Sequence, residues 1–203
     1  MAIGDAYETA ANYRAAIGKT DTGSDTQILT DLTAISRYLE GKLERFFNKD
    51  AADVTRVYEV PASQAELWID DLSAAPTSIK VDEDGDGSFA DETALTSSDY
   101  ELLPLNAAVG PEARPYTRIG MTSWGDYGSW TKGQRVQIIG KWGWPAVPQP
   151  IKTATIQLTA ILRLESPRAT VRIPELSDVI QASPEAQSIL RALTDNYRRF
   201  TYV

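Results

Sequence analysis

From Ile28 to Phe47 the apolar residues Ile28, Leu29, Leu32, Ile35, Leu39, Leu43, Phe46 and Phe47 recur at steps of three and four. That spacing follows the helical turn. It predicts one long amphipathic helix with a single apolar stripe, ending near Asn48 and about 35 Å long. Directly after it the period changes. Val54, Arg56, Tyr58 and Val60 alternate with polar neighbours, the pattern of a half-buried strand. Further strand-like pieces follow at Glu66–Ile69, Thr77–Val81, Tyr100–Leu103, Tyr116–Ile119 and Gln134–Ile139. Turn chemistry separates them: Asp82-Glu-Asp-Gly-Asp-Gly, Asn106 to Pro111, and Trp124-Gly-Asp-Tyr-Gly-Ser.

Helical signals return after this section. Pro145, Pro148 and Pro150 forbid a strand and set up a helix start. The helix from Pro150 to Leu164 carries two apolar stripes, Ile151, Ala154, Leu158, Ile161 and the rotated Ile156, Ala160, Leu164. Both must be covered, by the same chain or by a neighbouring subunit. A shorter helix is expected over Asp5–Ala16, with Asp5 and Glu8 at capping-box spacing and Gly18 as its stop. Ser166-Pro-Arg-Ala-Thr interrupts the helical pattern, and the stretch to Ala182 reads as an extended arm. A last helix starts at Ser183-Pro-Glu-Ala, with Leu190, Leu193, Tyr197 and Phe200 on one face.

The expected architecture is α+β: a bundle of long amphipathic helices, an inserted small antiparallel β-domain, and a C-terminal arm and helix. Residues 1–50 and 148–166 form the helical core, 51–147 the insertion, and 167–203 the arm and terminal helix.

The chain contains no cysteine and no histidine. That removes disulfides, thiolate nucleophiles, cysteine zinc sites, Ser-His-Asp triads and imidazole ligands. No P-loop or GxGxxG is present, and the serines lack a base. The reading is therefore non-enzymatic, with no cofactor. The opening residues lack the basic and apolar regions of a signal peptide, and no apolar run reaches the ~20 residues of a membrane span. A cytoplasmic start and no membrane partner are expected. The 28 acids outnumber the 20 bases, a formal charge of −8, opposite in sign to a free-standing DNA binder.

Asp82, Asp84 and Asp86, at alternate positions before glycines, match the start of an EF-hand calcium loop. The twelfth position is Thr93 where the motif needs Glu, and the flanks are strand-like. A plain hairpin turn and a weak calcium site both stay open. Trp68, Trp124, Trp130, Trp142 and Trp144 gather in or just after the β section. They fit a core or an interface, and leave open a carbohydrate- or calcium-binding β-module of a phage or bacterial surface protein. The end, Tyr197-Arg-Arg-Phe-Thr-Tyr-Val, is basic and aromatic in an acidic chain. Tyr, Phe and Arg are interface-enriched types, which marks Leu190, Tyr197, Arg198, Arg199, Phe200 and Tyr202 as docking candidates.

Two blocks resemble a known family. The first runs from Asp21-Thr-Gly-Ser-Asp to Arg45-Phe46-Phe47. The second is Arg135-Val-Gln-Ile-Ile-Gly-Lys-Trp-Gly-Trp-Pro-Ala-Val-Pro-Gln-Pro. Together they resemble the head–tail connector (adaptor) proteins of tailed bacteriophages. Trp68-Ile-Asp-Asp-Leu and the Asp82–Gly87 segment are similar to members with a β insertion. The resemblance covers roughly residues 5–165. It implies a non-catalytic virion protein, assembled in the host cytoplasm into a dodecameric homo-oligomeric ring. The implied partners are the portal protein and a tail terminator or stopper, with double-stranded DNA passing through unbound. It adds Trp142, Trp144 and Pro145 to the partner-facing residues. A channel that must not grip DNA calls for an acidic wall. Asp25, Asp31, Glu40 and Glu44 on the long helix are the residues expected to line it.

Overall fold

The computed structural model describes residues 5–110, 113–122, 128–165 and 173–199. The first helix, α1 (Ala10–Ala16), is capped by Thr9, whose hydroxyl accepts the Asn12 N–H. It starts later than the Asp5–Glu8 spacing predicts. Glu8 instead accepts the Thr9 N–H and the Asn12 side chain, so the acid supports the cap from outside the helix.

Helix α2 (Asp25–Leu43) buries Ile28, Leu32, Ile35, Leu39 and Leu43 of the expected stripe, whereas Leu29 and Phe46 are 49% and 54% exposed. It stops short of Asn48 because Glu44 turns left-handed (φ 54°), which ends the i→i−4 ladder. Phe47 is fully buried, with its ring edge-on to Tyr7 at 5.7 Å.

The strands are β1 (Val54–Glu59), β2 (Glu66–Leu72), β3 (Ser78–Val81), β4 (Tyr100–Leu103), β5 (Tyr116–Met121) and β6 (Arg135–Gly140). They form two antiparallel three-stranded sheets, in the orders β1-β6-β3 and β2-β5-β4. Their shared core holds Val60, Leu67, Ile69, Ile79, Ile119, Trp130, Val136 and Ile138. Trp130 is fully buried and donates its indole N–H to the Ile119 carbonyl. Gly143 (φ 103°) brings two backbones together, since a Cβ there would lie 1.9 Å from the Asn48 oxygen.

Helix α3 (Gln149–Glu165) follows the proline run. Ile151, Ala154 and Leu158 are buried, and the rotated Ile156 and Ala160 pack on Tyr13, Ile28 and Leu32. The chain itself thus covers most of both stripes, while Leu164 stays 80% exposed. Helices α4 (Ile173–Ala182) and α5 (Pro184–Tyr197) complete the order. Ser183 caps α5 by accepting the Ala186 N–H, with proline at the first turn.

The expected bundle of long amphipathic helices does not form. The described residues hold five helices of 7 to 19 residues and two three-stranded sheets, a β-rich α+β fold. Two local causes stand out. The left-handed Glu44 shortens α2, and α4 occupies the described part, Ile173–Ala182, of the stretch read as an extended arm, burying Leu176 and Ile180.

The chain divides into two compact units. One, here the β unit, spans Asn48–Ala146. The other, the helical unit, takes the described residues from Asp5 to Phe47 and those from Val147 onward.

Candidate functional site

Charge divides sharply along the unit boundaries. Residues 48–146 carry 16 acids and 8 bases, a net −8, whereas the rest of the chain carries 12 of each. Within the β unit, residues 82–101 hold eight acids (Asp82, Glu83, Asp84, Asp86, Asp91, Glu92, Asp99, Glu101) and no base. Most of this stretch is exposed.

Its local fold is a lattice of side-chain to backbone bonds. Asp82, 5% exposed, accepts the N–H groups of Gly85 and Gly87. Asp84 accepts from Asp86, Asp86 from Ser88, and Glu92 from Glu83. Gly85 and Gly87 take positive φ, which these turns require. One oxygen each from Asp82, Asp84 and Asp86 lies within 4.8 Å of the others. Three such oxygens are half or fewer of the six to eight a calcium ion takes, and both oxygens of Asp82 already hold backbone donors. The turn hydrogen bonds account for these residues.

The α2 carboxylates expected to line a channel have partners within the helical unit. Asp31 is 7% exposed, 2.5 Å from Arg163, and also accepts from Gln27. Glu40 is 8% exposed; it accepts the Tyr7 hydroxyl at 2.5 Å and lies 3.0 Å from Arg37. Burial raises the Glu40 pKa above the usual carboxylate range, against the opposing Tyr7 hydrogen bond and Arg37 charge. Burial also pushes the Tyr7 hydroxyl far up, aided by Glu40. That hydroxyl accepts the Phe47 N–H, completing a chain from Phe47 through Tyr7 to Glu40. Asp25 is 2.7 Å from Arg14. Glu44 is half exposed and 3.0 Å from Arg198.

The expected partner-facing residues divide as well. Trp142 and Trp144 are buried in the β unit, with indole N–H groups given to the Val54 carbonyl and to Asp71 Oδ2. Arg56 lies 4.5 Å over the Trp142 ring. Pro145 and Leu190 are half-buried. Tyr197 is half-buried edge-on to Phe47 at 5.9 Å, and the Arg199 N–H bonds the Leu43 carbonyl. Arg198 is exposed beside Glu44. Phe200 and Tyr202 lie outside the described residues.

Among the described tryptophans the one that reaches solvent is Trp68, 46% exposed, with the Arg118 guanidinium 5.0 Å from its ring and Glu66 paired to that arginine; Trp124 lies outside the described residues. Its signal was in the alternation: Trp68 shares parity with Glu66 and Asp70, the polar face of β2, while Leu67 and Ile69 are buried. Leu105 and Val109, in the loop after β4, are 64% and 69% exposed. Periodicity does not mark loop residues, so neither could be found that way.

No protein-family model matches this chain, and no curated protein does. Among solved structures it is similar to a chain from the neck of an empty gene transfer agent (GTA) particle computed with C6 symmetry. The TM-score is 0.55 at 17% identity, over 97% of this chain and 92% of that chain. At that identity the likeness is one of fold. None of the described helices is long and apolar enough to cross a membrane.

Proposed function

We propose that this chain is a structural neck protein of a phage-like particle, a non-catalytic ring subunit between the portal and the tail through which DNA passes. The observation that carries this reading is the fold shared with the neck chain of the GTA particle along nearly the whole length of both chains. A virion location and homo-oligomeric assembly belong to the same reading.

The charge partition supports a specific form of it. A wall that lets DNA slide must deny phosphates a cationic grip. The α2 acids are paired inside the helical unit, and Asp31 and Glu40 are buried. The stretch from Glu83 to Glu101, mostly exposed and without a base, is the surface that suits the role.

The test is cryo-electron microscopy of the protein mixed with the portal protein from the same genome. The expected result is a ring of this chain stacked on the portal, with residues 83–101 facing the channel. A portal that stays bare under assembly conditions would overturn the reading. A ring whose lumen is lysine-rich would overturn the channel assignment alone.

A further inference from the structure

We infer that the surface of the β unit formed by the uncharged loop residues Leu105 and Val109, with Leu103 and Trp68 on either side of the Arg118–Glu66 ion pair, is where two copies of this chain meet. The inference rests on the ring-subunit reading above and adds which surface of the β unit makes the contact.

The register of the second sheet places Trp68, Arg118 and Leu103 in one row across β2, β5 and β4. Trp68 faces solvent at the end of that row. From Leu103 the chain enters a loop with ordered turns: Ala107 N–H to the Pro104 carbonyl, Val109 N–H to Asn106, and Arg114 N–H to Ala107. Asn106 takes a left-handed φ of 58°, which asparagine tolerates. The loop therefore presents Leu105 and Val109 from a defined backbone.

Charge decides what such a surface can meet. Two β units, each at −8, repel wherever acidic faces approach. Leu102 to Pro111 is the longest uncharged run in this unit, ten residues, and it starts where the acidic stretch ends at Glu101. It is the part of the β unit that a second acidic copy can approach at least Coulombic cost. Tryptophan beside arginine, next to exposed aliphatic side chains, is also the composition of an interface centre. In a ring the contact is heterologous, so this projecting element of one copy seats on a different surface of the next.

The experiment is sedimentation velocity on the full chain over a range of concentrations, at ~0.1 M and ~1 M salt, where the screening length falls from about 10 Å to about 3 Å. Wild type is expected to self-associate, and more strongly at high salt, because the repulsion is screened while the apolar contact is not. Leu105→Glu with Val109→Glu should lower the association constant at least about tenfold. Thr93→Glu with Ser97→Glu adds equal charge on the exposed acidic stretch and should lower it less than about threefold at ~1 M salt. Leu105→Ser with Val109→Ser, which removes apolar area without adding charge, should also weaken association, and tryptophan fluorescence verifies folding in each variant.

A wild type that stays monomeric throughout, association that weakens with salt, or association unchanged in both loop variants would each overturn the inference. So would loop variants that lose only portal binding, which would give this surface to the portal. Portal binding by a wild type that does not self-associate would leave the neck reading standing while this inference falls.

Discussion

The two units handle charge in opposite ways. The helical unit is neutral and takes carboxylates inside, pairing Asp31 with Arg163 and Glu40 with Arg37 and Tyr7. The β unit holds the whole net charge and keeps most of it outside, braced by backbone N–H groups of its own turns. An internal ion pair stabilises only if its geometry and extra hydrogen bonds offset desolvation. A surface carboxylate carries no such cost and projects its field outward. One unit uses charge to specify packing, and the other uses it to govern what comes near.

All five tryptophans lie between residues 68 and 144, so tryptophan fluorescence reports on the β unit, while far-ultraviolet circular dichroism follows the helices. The contrast can be broken unit by unit. The largest effect expected is from Gly143→Ala. The new methyl would sit 1.9 Å from the Asn48 oxygen at a φ of 103°, so the β unit should lose more than about 4 kcal/mol, read as an early fluorescence transition. Leu32→Ala, at a fully buried position, should cost the helical unit about 3 kcal/mol by dichroism. Asp31→Ala should cost about 2 kcal/mol, less than a fully buried pair because the Arg163 side chain keeps 28% exposure.

A smaller effect sharpens the contrast through pH. The folded state raises the Glu40 pKa, so it holds that proton more tightly than the unfolded chain. The associated stability is fully present below the usual carboxylate pKa and is lost as pH rises through the raised value. Glu40→Gln should flatten this dependence in dichroism-monitored melting; an unchanged slope would assign it elsewhere. Smallest of all, Asp84→Asn with Asp86→Asn should shift fluorescence-monitored stability by no more than about 0.5 kcal/mol. The same melts should show no calcium dependence, and a calcium-dependent rise would restore the metal reading of that loop.

Many of the individual elements were legible because their signals are local, although the bundle of long helices they were expected to form is not what they build. Alternation located the strands, the stripe from Ile28 located α2, and Ser183-Pro184 marked the start of α5. What was hidden depends on distant partners. Nothing near Glu44 announces a left-handed stop. Its neighbour Leu43 accepts the Arg199 N–H, and Glu44 itself lies beside Arg198. Trp144 reads equally as interface or core until Asp71 takes its indole proton. The acidic run was plain in the sequence, but that it outranks the α2 acids as the exposed negative surface required Arg163 to be found beside Asp31, 132 positions away.

The hydrogen bond from Arg199 to the Leu43 carbonyl also bears on biosynthesis. Among the described residues the β unit is one continuous stretch, whereas the helical unit is assembled from two pieces separated by all of it. At roughly 5–20 residues per second, α1 and α2 emerge several seconds before α3 to α5 can meet them. During that interval the stripe from Ile28 to Leu43 has α1 but lacks the cover of α3, while all six strands of the β unit have already been made. The order of translation thus completes the chain of the acidic unit first and that of the neutral unit last.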